Sequence, residues 1–560
     1  MSVFKNVLLL PVFLVFTWVS LSAQEESEVV LKAMEDELNR SMQELSLKDH
    51  DRPFFISYRV FDSKSLNINA SLGAVNNAML SPRRRGSVRL IVGDYDFNDE
   101  SFASQGMSLS VSNQANFGFV GVGMPLGADY YGIRRYFWKS TDNMYRRAAK
   151  RFKAHQSKLK KEGKKIDETP HLVFSKVPVV SYQSERLDAD WDQKAIEDRA
   201  RKISAAFVAY PDIGESRVNL SLNHSREYYI NTEGTRIVQD DAGVQLKILV
   251  FSSATRAVFN SEDLNYQASS FDELPDDATI LADIEELVKK VRKKETVEQF
   301  EDSYEGPVLF YDQSVAGLFA RHFVPSLNAT QTASIEEETG FRNRSRELDH
   351  KIDKRVTSRS LSLSVLPGRE NYLKQSMKGA YRYDMEGVKA TDSLLIVDKG
   401  YLKELMRGRT VLKDSPGPNG TGQGVGVLSV ISHDTKTETA LKQQLIELAE
   451  DEGLEYALIV RKIPFTGGGV NVYKISLEDG SETLLQSASL NDLNFNSFRK
   501  VGGTSTDRTV HHLPDSFNGK LMSVVSPRIL LLEDVEVESF QNYGTRKNKK
   551  AMVQSPLVKE

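Results

Sequence analysis

Apolar residues recur at helical spacing in several parts of the chain and predict amphipathic helices there. Val30, Met34 and Leu38 follow one another at intervals of four among charged neighbours, which is typical of the buried side of a helix. The same kind of spacing is found over residues 129–153, 192–210 and 276–294, and shorter helices are predicted to begin near Gln313 and over 437–450.

Other parts alternate or run apolar over short stretches and predict β-strands. Residues 54–61 and 87–92 read as strands, with small and polar residues between them that indicate irregular connections. Residues 216–259 are strand-rich and contain a turn signal at 231–234. Beyond residue 306, short β runs separated by Gly, Asp and Asn dominate, at 387–397, 424–431, 457–462, 470–476 and 521–536.

The change from mixed helices and strands to mainly short strands near residue 306 predicts an α+β fold with two domains. We interpret residues 24–305 as an N-terminal α/β domain, residues 306–540 as a β-rich C-terminal domain and residues 541–560 as a flexible tail.

The first 23 residues contain the longest apolar run, Val7 to Leu21, and indicate an export signal. One lysine precedes the run, and Leu21-Ser22-Ala23 offers small residues where signal peptidase cleaves. An uncleaved membrane anchor is the alternative, because about 20 apolar residues can span a bilayer. We expect an exported protein in a bacterial periplasm or outside the cell, with no membrane association after cleavage. No cysteine is available for lipidation.

The amino-acid composition excludes several classes of protein and of functional site. The chain has 560 residues, of which 40% are hydrophobic and 27% charged, as in ordinary globular proteins. Its net charge of -4 provides no global field that would attract nucleic acid. It contains no cysteine, which excludes disulfides, thiol nucleophiles and metal sites that need a thiolate.

Several segments, in order along the chain, resemble the family of TldD and PmbA proteins, the TldD/TldE metalloproteases or modulators of DNA gyrase. One is Asp384-Met385-Glu386-Gly387-Val388; the others lie at 92–96, 129–135, 229–234, 306–310, 398–402 and 526–531. The resemblance implies an N-terminal α/β domain, a β-rich C-terminal domain and dimers around an internal chamber that admits extended peptides. It also implies, in the active branch, a zinc ion held by a His-Glu-x-x-x-His helix and a distant cysteine.

The zinc motif is missing from the segment that corresponds to it. Aligned on the apolar pair that precedes the family motif, Ala320 takes the place of the first histidine, Arg321 that of the glutamate and Pro325 that of the second histidine. The neighbouring His322 is the only imidazole in the segment. A guanidinium beside a divalent cation is repelled by it, and Pro325 predicts that the helix ends there. We therefore expect no zinc and no other cofactor, no catalytic residues in this degenerate segment, and no catalysis by this chain alone.

Other candidate sites are weaker. His511 and His512 are the one histidine cluster, but adjacent residues of a strand point to opposite faces. The basic run 158–165 is interpreted as a solvated helix end rather than a nucleic-acid site, because no aromatic residues are interleaved with it. Residues 418–426 predict a loop with special backbone angles. Gly467, Gly468 and Gly469 are candidates for a strand edge that binds peptide, with a plain hairpin turn as the alternative.

The sequence thus favours a metal-free pseudoenzyme subunit that dimerises with a metal-bearing TldD-like homologue in peptide proteolysis. Two alternatives stay open. One is an active metallopeptidase whose ligands include His322 and the carboxylates at 336–338; the other is a homodimeric peptide-binding protein.

Overall fold

The structure is a computed structural model that describes residues 10–102, 124–187, 189–252, 261–294, 297–329, 348, 350–463, 470–490, 493–514 and 521–540. The side chains of residues 10–24 and of residue 487 are not described.

The first part of the chain combines long strands with four helices. Its elements are α1 (Leu10–Glu44), β1 (Pro53–Ser71), β2 (Ala74–Val92), α2 (Tyr130–Glu162), β3 (Leu172–Phe174), β4 (Ser181–Gln183), α3 (Gln193–Ala205), β5 (Ile213–Asn231), β6 (Arg236–Ser252), β7 (Ser261–Ala268) and α4 (Asp277–Lys294). The four long strands form one antiparallel sheet in the order β2-β1-β5-β6, and both β4 and β7 pair with β6.

One face of this sheet is covered by helices along its whole length. Tyr58 and Val60 on β1 pack in a core with α1 and α2, whereas Leu66 and Ile68 on the same face of β1 pack in a second core with α3 and α4. Each helix buries the apolar stripe that the sequence predicts, as the buried Ile133 and Phe137 of α2 illustrate.

The second part contains mostly short strands. Its elements are β8 (Tyr304–Tyr311), α5 (Gln313–His322), β9 (Leu361–Val365), β10 (Asn371–Tyr372), β11 (Gln375–Ser376), β12 (Leu394–Asp398), β13 (Tyr401–Leu402), β14 (Thr410–Leu412), β15 (Val427–Ser432), β16 (Thr435–Lys436), α6 (Glu438–Asp451), β17 (Tyr456–Val460), β18 (Val470–Ser476), β19 (Glu482–Ser489), β20 (Val501–Ser505), β21 (Arg508–Pro514), β22 (Leu521–Pro527) and β23 (Ile529–Ser539).

These strands build two main sheets around one core. A six-stranded sheet has the order β13-β12-β9-β15-β22-β21, and a seven-stranded sheet has the order β16-β20-β23-β19-β18-β17-β8. Because β8 also pairs with β23, five strands of the second sheet close into a ring. The short helix α5 is buried in this core, and α6 packs Leu441 and Leu445 against the ring from another side.

The predicted α+β class is confirmed, and so are the helices at α2, α4, α5 and α6. The prediction of irregular structure between residues 62 and 86 is wrong. β1 and β2 are 19 residues each and pair along almost their whole length, from Pro53 with Val92 to Ser71 with Ala74. Small polar residues fill only the face of β1 that lacks helices, while Leu66, Ile68 and Ala70 alternate into the core.

Within the described residues, no helix combines the length and the apolar character that a membrane crossing requires. The backbone of α1 is helical without a break through the predicted cleavage point, from Leu10 to Glu44. Cleavage of the predicted signal and the proposed domain limits stay predictions.

Candidate functional site

The segment that corresponds to the metal motif is the helix α5 and the turn after it. The chain leaves β8 at Asp312, whose φ of 49° turns the backbone and whose N–H donates to the carbonyl of Arg528 at 2.7 Å. The Gln313 side chain then bonds both the N–H and the carbonyl of Ile463, each at 3.1 Å. These contacts fix the start of α5 against the closed ring of strands.

The side chains of the degenerate segment point to three different surroundings. Ala320 is 3% exposed and belongs to the hydrophobic core. Arg321, the next residue of the helix, is exposed. The ring centroid of His322 lies 5.6 Å from that of Phe498, within an aromatic cluster that includes Phe323.

The helix ends where the proline predicts. His322 is the last residue of α5, and Pro325 stands in a following 3-10 turn, Val324–Ser326. A ligand five positions after Ala320 would therefore not continue the same helix.

These residues do not fit a zinc ion. A methyl group, a guanidinium and a proline ring supply no electron pair to a metal, and the histidine beside them packs against an aromatic ring. Across the described part of the chain, no group of three or more His, Asp or Glu side chains is arranged to hold a metal. What the segment presents to solvent is the Arg321 guanidinium, which can bind a carboxylate but cannot activate a water molecule.

His511 and His512 lie on β21 beside this segment and face opposite sides of the sheet. His511 stands opposite Val524, which belongs to the core around α5, whereas His512 stands opposite Ser523 and bonds its hydroxyl at 2.9 Å. Burial lowers the pKa of both imidazoles, that of His512 to about 4. The two rings therefore do not share a ligand, as the sequence predicts.

The glycine-rich loop has the special backbone predicted for it. Gly420 and Gly426 have φ angles of 69° and 62°. A Cβ on Gly420 would lie 2.1 Å from the carbonyl oxygen of Lys389, so only glycine allows the two backbones to approach this closely.

Gly467, Gly468 and Gly469 lie outside the described residues, so their role in peptide binding stays a prediction. The next strand, β18, pairs with β17 on one side and β19 on the other, so it has no free edge.

The motif Asp384-Met385-Glu386-Gly387 lies against the sheet of the first part of the chain. Tyr229 donates its hydroxyl to the carbonyl of Glu386 at 3.2 Å, and Arg59 donates to the carbonyl of Met385. Gly387 has a φ of 78°, and a Cβ there would lie 2.8 Å from the ring of Tyr229. Segments that carry the family resemblance are therefore neighbours in the structure.

A buried ionic network joins the two parts of the chain at this place. Arg89 on β2 forms ion pairs with Glu100 and with Glu386, and it donates to the hydroxyl of Thr410 at 2.6 Å. All four side chains are less than 10% exposed. Burial alone would raise the pKa of Glu100, but its contact with Arg89 lowers that pKa below the ordinary value.

Arg409 is the centre of a second buried ionic contact. Its guanidinium donates to both carboxylate oxygens of Glu233, each at 2.7 Å, and to the carbonyl of Ser175 at 2.8 Å. It also lies over the rings of Phe174 and Phe55, 4.1 and 5.0 Å from their centroids. Sequence reasoning missed Arg89 and Arg409, because neither carries a local pattern that distinguishes it from a surface arginine.

Two carboxyl groups close in sequence to the carboxylates of this network, Asp384 and Asp99, resist ionisation. Burial, together with the neighbouring charge of Glu386, raises the pKa of Asp384 to about 7, although the backbone N–H groups of Glu386, Val388 and Gly422 bond its oxygens. Burial likewise raises the pKa of Asp99 to about 6, while Arg151 acts in the opposite direction.

We expect the stability of the Asp384→Asn variant to increase relative to that of the wild type as pH rises. The pKa of Asp384 is higher in the folded chain than the ordinary 3.8, so between about pH 4 and pH 7 the folded state holds a proton that the unfolded state has lost, and stability falls as pH rises through this range. The difference in unfolding free energy between variant and wild type should therefore shift by about 3 kcal/mol in favour of the variant from pH 4.5 to pH 8.

Urea unfolding of both proteins at several pH values measures this difference. Buried histidines such as His155, whose pKa burial lowers to about 4, contribute equally to both proteins and therefore cancel in the difference. The asparagine cannot accept from the Gly422 N–H, so a constant loss of about 1 kcal/mol at every pH is expected as well. Asp142→Asn, on the exposed side of α2, is the control. A variant whose difference from the wild type does not change with pH would refute the assignment.

Comparison with known proteins supports the resemblance in the second part of the chain. Residues 303–535 match the family model described as the PmbA/TldA metallopeptidase C-terminal domain. A comparison with curated protein sequences found no significant match.

Solved structures share the fold over most of the chain. A candidate modulator of DNA gyrase from Bacteroides thetaiotaomicron has a TM-score of 0.56 at 12% identity, with 92% of this chain and 99% of that chain covered. Another from Thermotoga maritima has a TM-score of 0.53 at 13% identity, covering 86% and 96%. TldE from Thermococcus kodakarensis has a TM-score of 0.51 at 14% identity, covering 90% and 100%.

The fold and the C-terminal domain thus define a metallopeptidase-related protein. Residues 303–535 match the C-terminal domain of the PmbA/TldA metallopeptidase family, and the chain as a whole shares the fold of these three solved structures.

Proposed function

We propose that this protein is a metal-free, non-catalytic subunit of the TldD/PmbA type that pairs with a metal-bearing homologue in the proteolysis of peptides. The proposal rests on the absence of metal-binding side chains at the three functional positions of α5 and the turn after it. The helix is present where the family places its metal motif, but Ala320, Arg321 and Pro325 occupy the three functional positions. A closed dimer needs two self-consistent surfaces, whereas cleavage needs only one metal.

A role in binding peptide is supported by the strand next to this segment. β21 is the last strand of the six-stranded sheet, and among the described residues it pairs only with β22. An extended peptide can add to such an edge through main-chain hydrogen bonds, which demand little of its sequence. The apolar run at the N-terminus supports export, so we place this pairing in the periplasm or outside the cell.

Co-purification from native cells tests the proposal. We expect the full-length chain to bring down a homologue that carries His-Glu-x-x-x-His, and we expect the pair to cleave unstructured peptides. Substitution of either histidine in the homologue should abolish cleavage, whereas His322→Ala in this chain should leave it intact.

Two results would contradict the proposal. Recovery of this chain only as a homodimer without peptidase activity would favour a peptide-binding protein. Peptidase activity of the chain alone, lost in His322→Ala, would favour an active metallopeptidase; Glu336, Glu337 and Glu338, which that alternative also invokes, lie outside the described residues.

A further inference from the structure

Helix α2 is strongly basic in a chain that is acidic as a whole. Its 33 residues contain eleven lysines and arginines but only two carboxylates, Asp142 and Glu162, which gives it a formal charge of +9. The net charge of the entire chain is -4. Positive charge is therefore concentrated on this helix, well beyond the short run 158–165 that the sequence draws attention to.

The cations of α2 form one stripe on its solvent side. With 3.6 residues per turn, seven exposed basic positions fall within about 100° of one another and extend over about 39 Å. This basic stripe consists of Arg135, Lys139, Arg146, Lys150, Lys153, Lys160 and Lys161. The opposite side of the helix packs Ile133, Phe137 and Met144 against the sheet and α1, so the stripe is held rigidly at the surface.

Most of this charge is uncompensated. Of the stripe, only Arg146 forms an ion pair within the described part of the chain, with Asp142 on the same helix. Five carboxylates of the neighbouring α1 pair with bases outside the stripe: Glu26 with Arg84, Glu35 with Arg236, Asp36 with Lys32, Glu37 with Arg40 and Arg134, and Glu44 with Arg40.

Large apolar side chains are exposed at one end of the stripe. Tyr131 is 78% exposed and Trp138 50%, both in the first three turns of α2, and Leu126, in the segment before the helix, is 51% exposed. α1 runs in the same direction as α2, since Asp36 bonds Tyr130 and Leu47 bonds Tyr145. The start of α1 at Leu10 therefore lies toward the same end of α2 as these exposed rings.

In contrast to the expectation from the sequence that the cleaved protein does not associate with membranes, we propose that α2 docks the protein on a lipid surface that contains anionic phospholipids. Lysine and arginine attract anionic headgroups over a distance of about a Debye length, and tryptophan and tyrosine settle at the boundary between headgroups and acyl chains. A single-stranded nucleic acid is the other polyanion of this length, but its binding sites interleave aromatic rings with the cations, whereas the rings here are gathered at one end. Docking requires neither a metal nor a partner subunit.

Vesicle binding by the full-length chain tests the proposal. Sedimentation with vesicles of phosphatidylcholine alone and of phosphatidylcholine with phosphatidylglycerol should show a marked preference for the anionic vesicles that falls with added salt. The triple variant Arg135→Glu, Lys139→Glu and Lys150→Glu should lose at least about 100-fold in affinity for the anionic vesicles. A blue shift of tryptophan emission on binding, smaller in Trp138→Phe than in the wild type, should report the approach of Trp138 to the lipid.

The matched control is a second triple variant that reverses three positive charges outside the stripe. Lys194, Lys290 and Lys354 are exposed on other elements, and their replacement by glutamate should leave binding within a few-fold of the wild type. Because the substituted residues are exposed in both triple variants, both should keep the circular dichroism and elution volume of the wild type. Equal binding by the two triple variants would overturn the proposal. So would tight binding of an oligonucleotide that the anionic vesicles cannot displace, since that result would identify the stripe as a nucleic-acid site.

Discussion

The Arg409→Met variant should lose about 3–5 kcal/mol of unfolding free energy, the largest effect expected of any single substitution at the junction between the two parts of the chain. Arg409 is fully buried, and its guanidinium holds both oxygens of Glu233. Methionine fills a similar volume but leaves the Glu233 carboxylate without its cation and the Ser175 carbonyl without its donors. Urea unfolding followed by far-ultraviolet circular dichroism measures the loss.

Two further variants separate the ion pair from its surroundings. Arg146→Met removes an exposed pair with Asp142 and should cost less than about 0.5 kcal/mol. Adding Glu233→Gln to Arg409→Met should recover part of the loss, because the buried charge that lacks a partner is then removed as well. If Arg409→Met unfolds at the same urea concentration as Arg146→Met, the buried junction does not hold the two parts together.

Gly420→Ala should cost about 2–5 kcal/mol, the second large effect. A φ of 69° costs an L-residue about 1–2 kcal/mol, and the added methyl group would overlap the carbonyl of Lys389 at 2.1 Å, which requires backbone movement. The loop would have to separate from residues 389 and 390, so the unfolding midpoint of the whole C-terminal part should fall.

Gly417 in the same loop provides the control. A Cβ at that position would meet nothing within 4 Å, and its backbone lies outside the left-handed region. Gly417→Ala should therefore leave stability unchanged within about 0.5 kcal/mol or raise it slightly. Equal stability of the two alanine variants would show that the close approach at Gly420 is not present in solution.

Local patterns predicted the helices well because the apolar residues that each helix buries recur at helical spacing along the sequence. α2 ends at Glu162 with Gly163 in the left-handed conformation, and α6 begins with Thr437 as its cap. The hairpin of β1 and β2 could not be predicted in the same way. Small polar residues fill the outer face of β1 beyond Phe61, and Leu66 and Ile68 point inward because they pack with residues of β5, α3 and α4 that are distant in sequence.

The candidate site was predictable only in part, because its residues act through partners that are distant in sequence. The position of α5 followed from the apolar residues after Gln313 and from the resemblance, and the loss of the metal donors could be read directly from Ala320, Arg321 and Pro325. The buried state of Arg409 could not, since Glu233 and Ser175 reach it from elements about 180 and 230 residues away. Arg407 and Arg409 stand on either side of one glycine, just before the short strand β14. Nothing in this local sequence indicates that Arg409 is fully buried.

Zinc content is the most direct test of the central claim that this chain holds no catalytic metal. The full-length protein, purified without chelators and equilibrated with excess zinc, should emerge from gel filtration with far less than one equivalent of metal and no peptidase activity of its own. One equivalent of tightly held zinc per chain, lost together with peptidase activity in His322→Ala, would contradict the account.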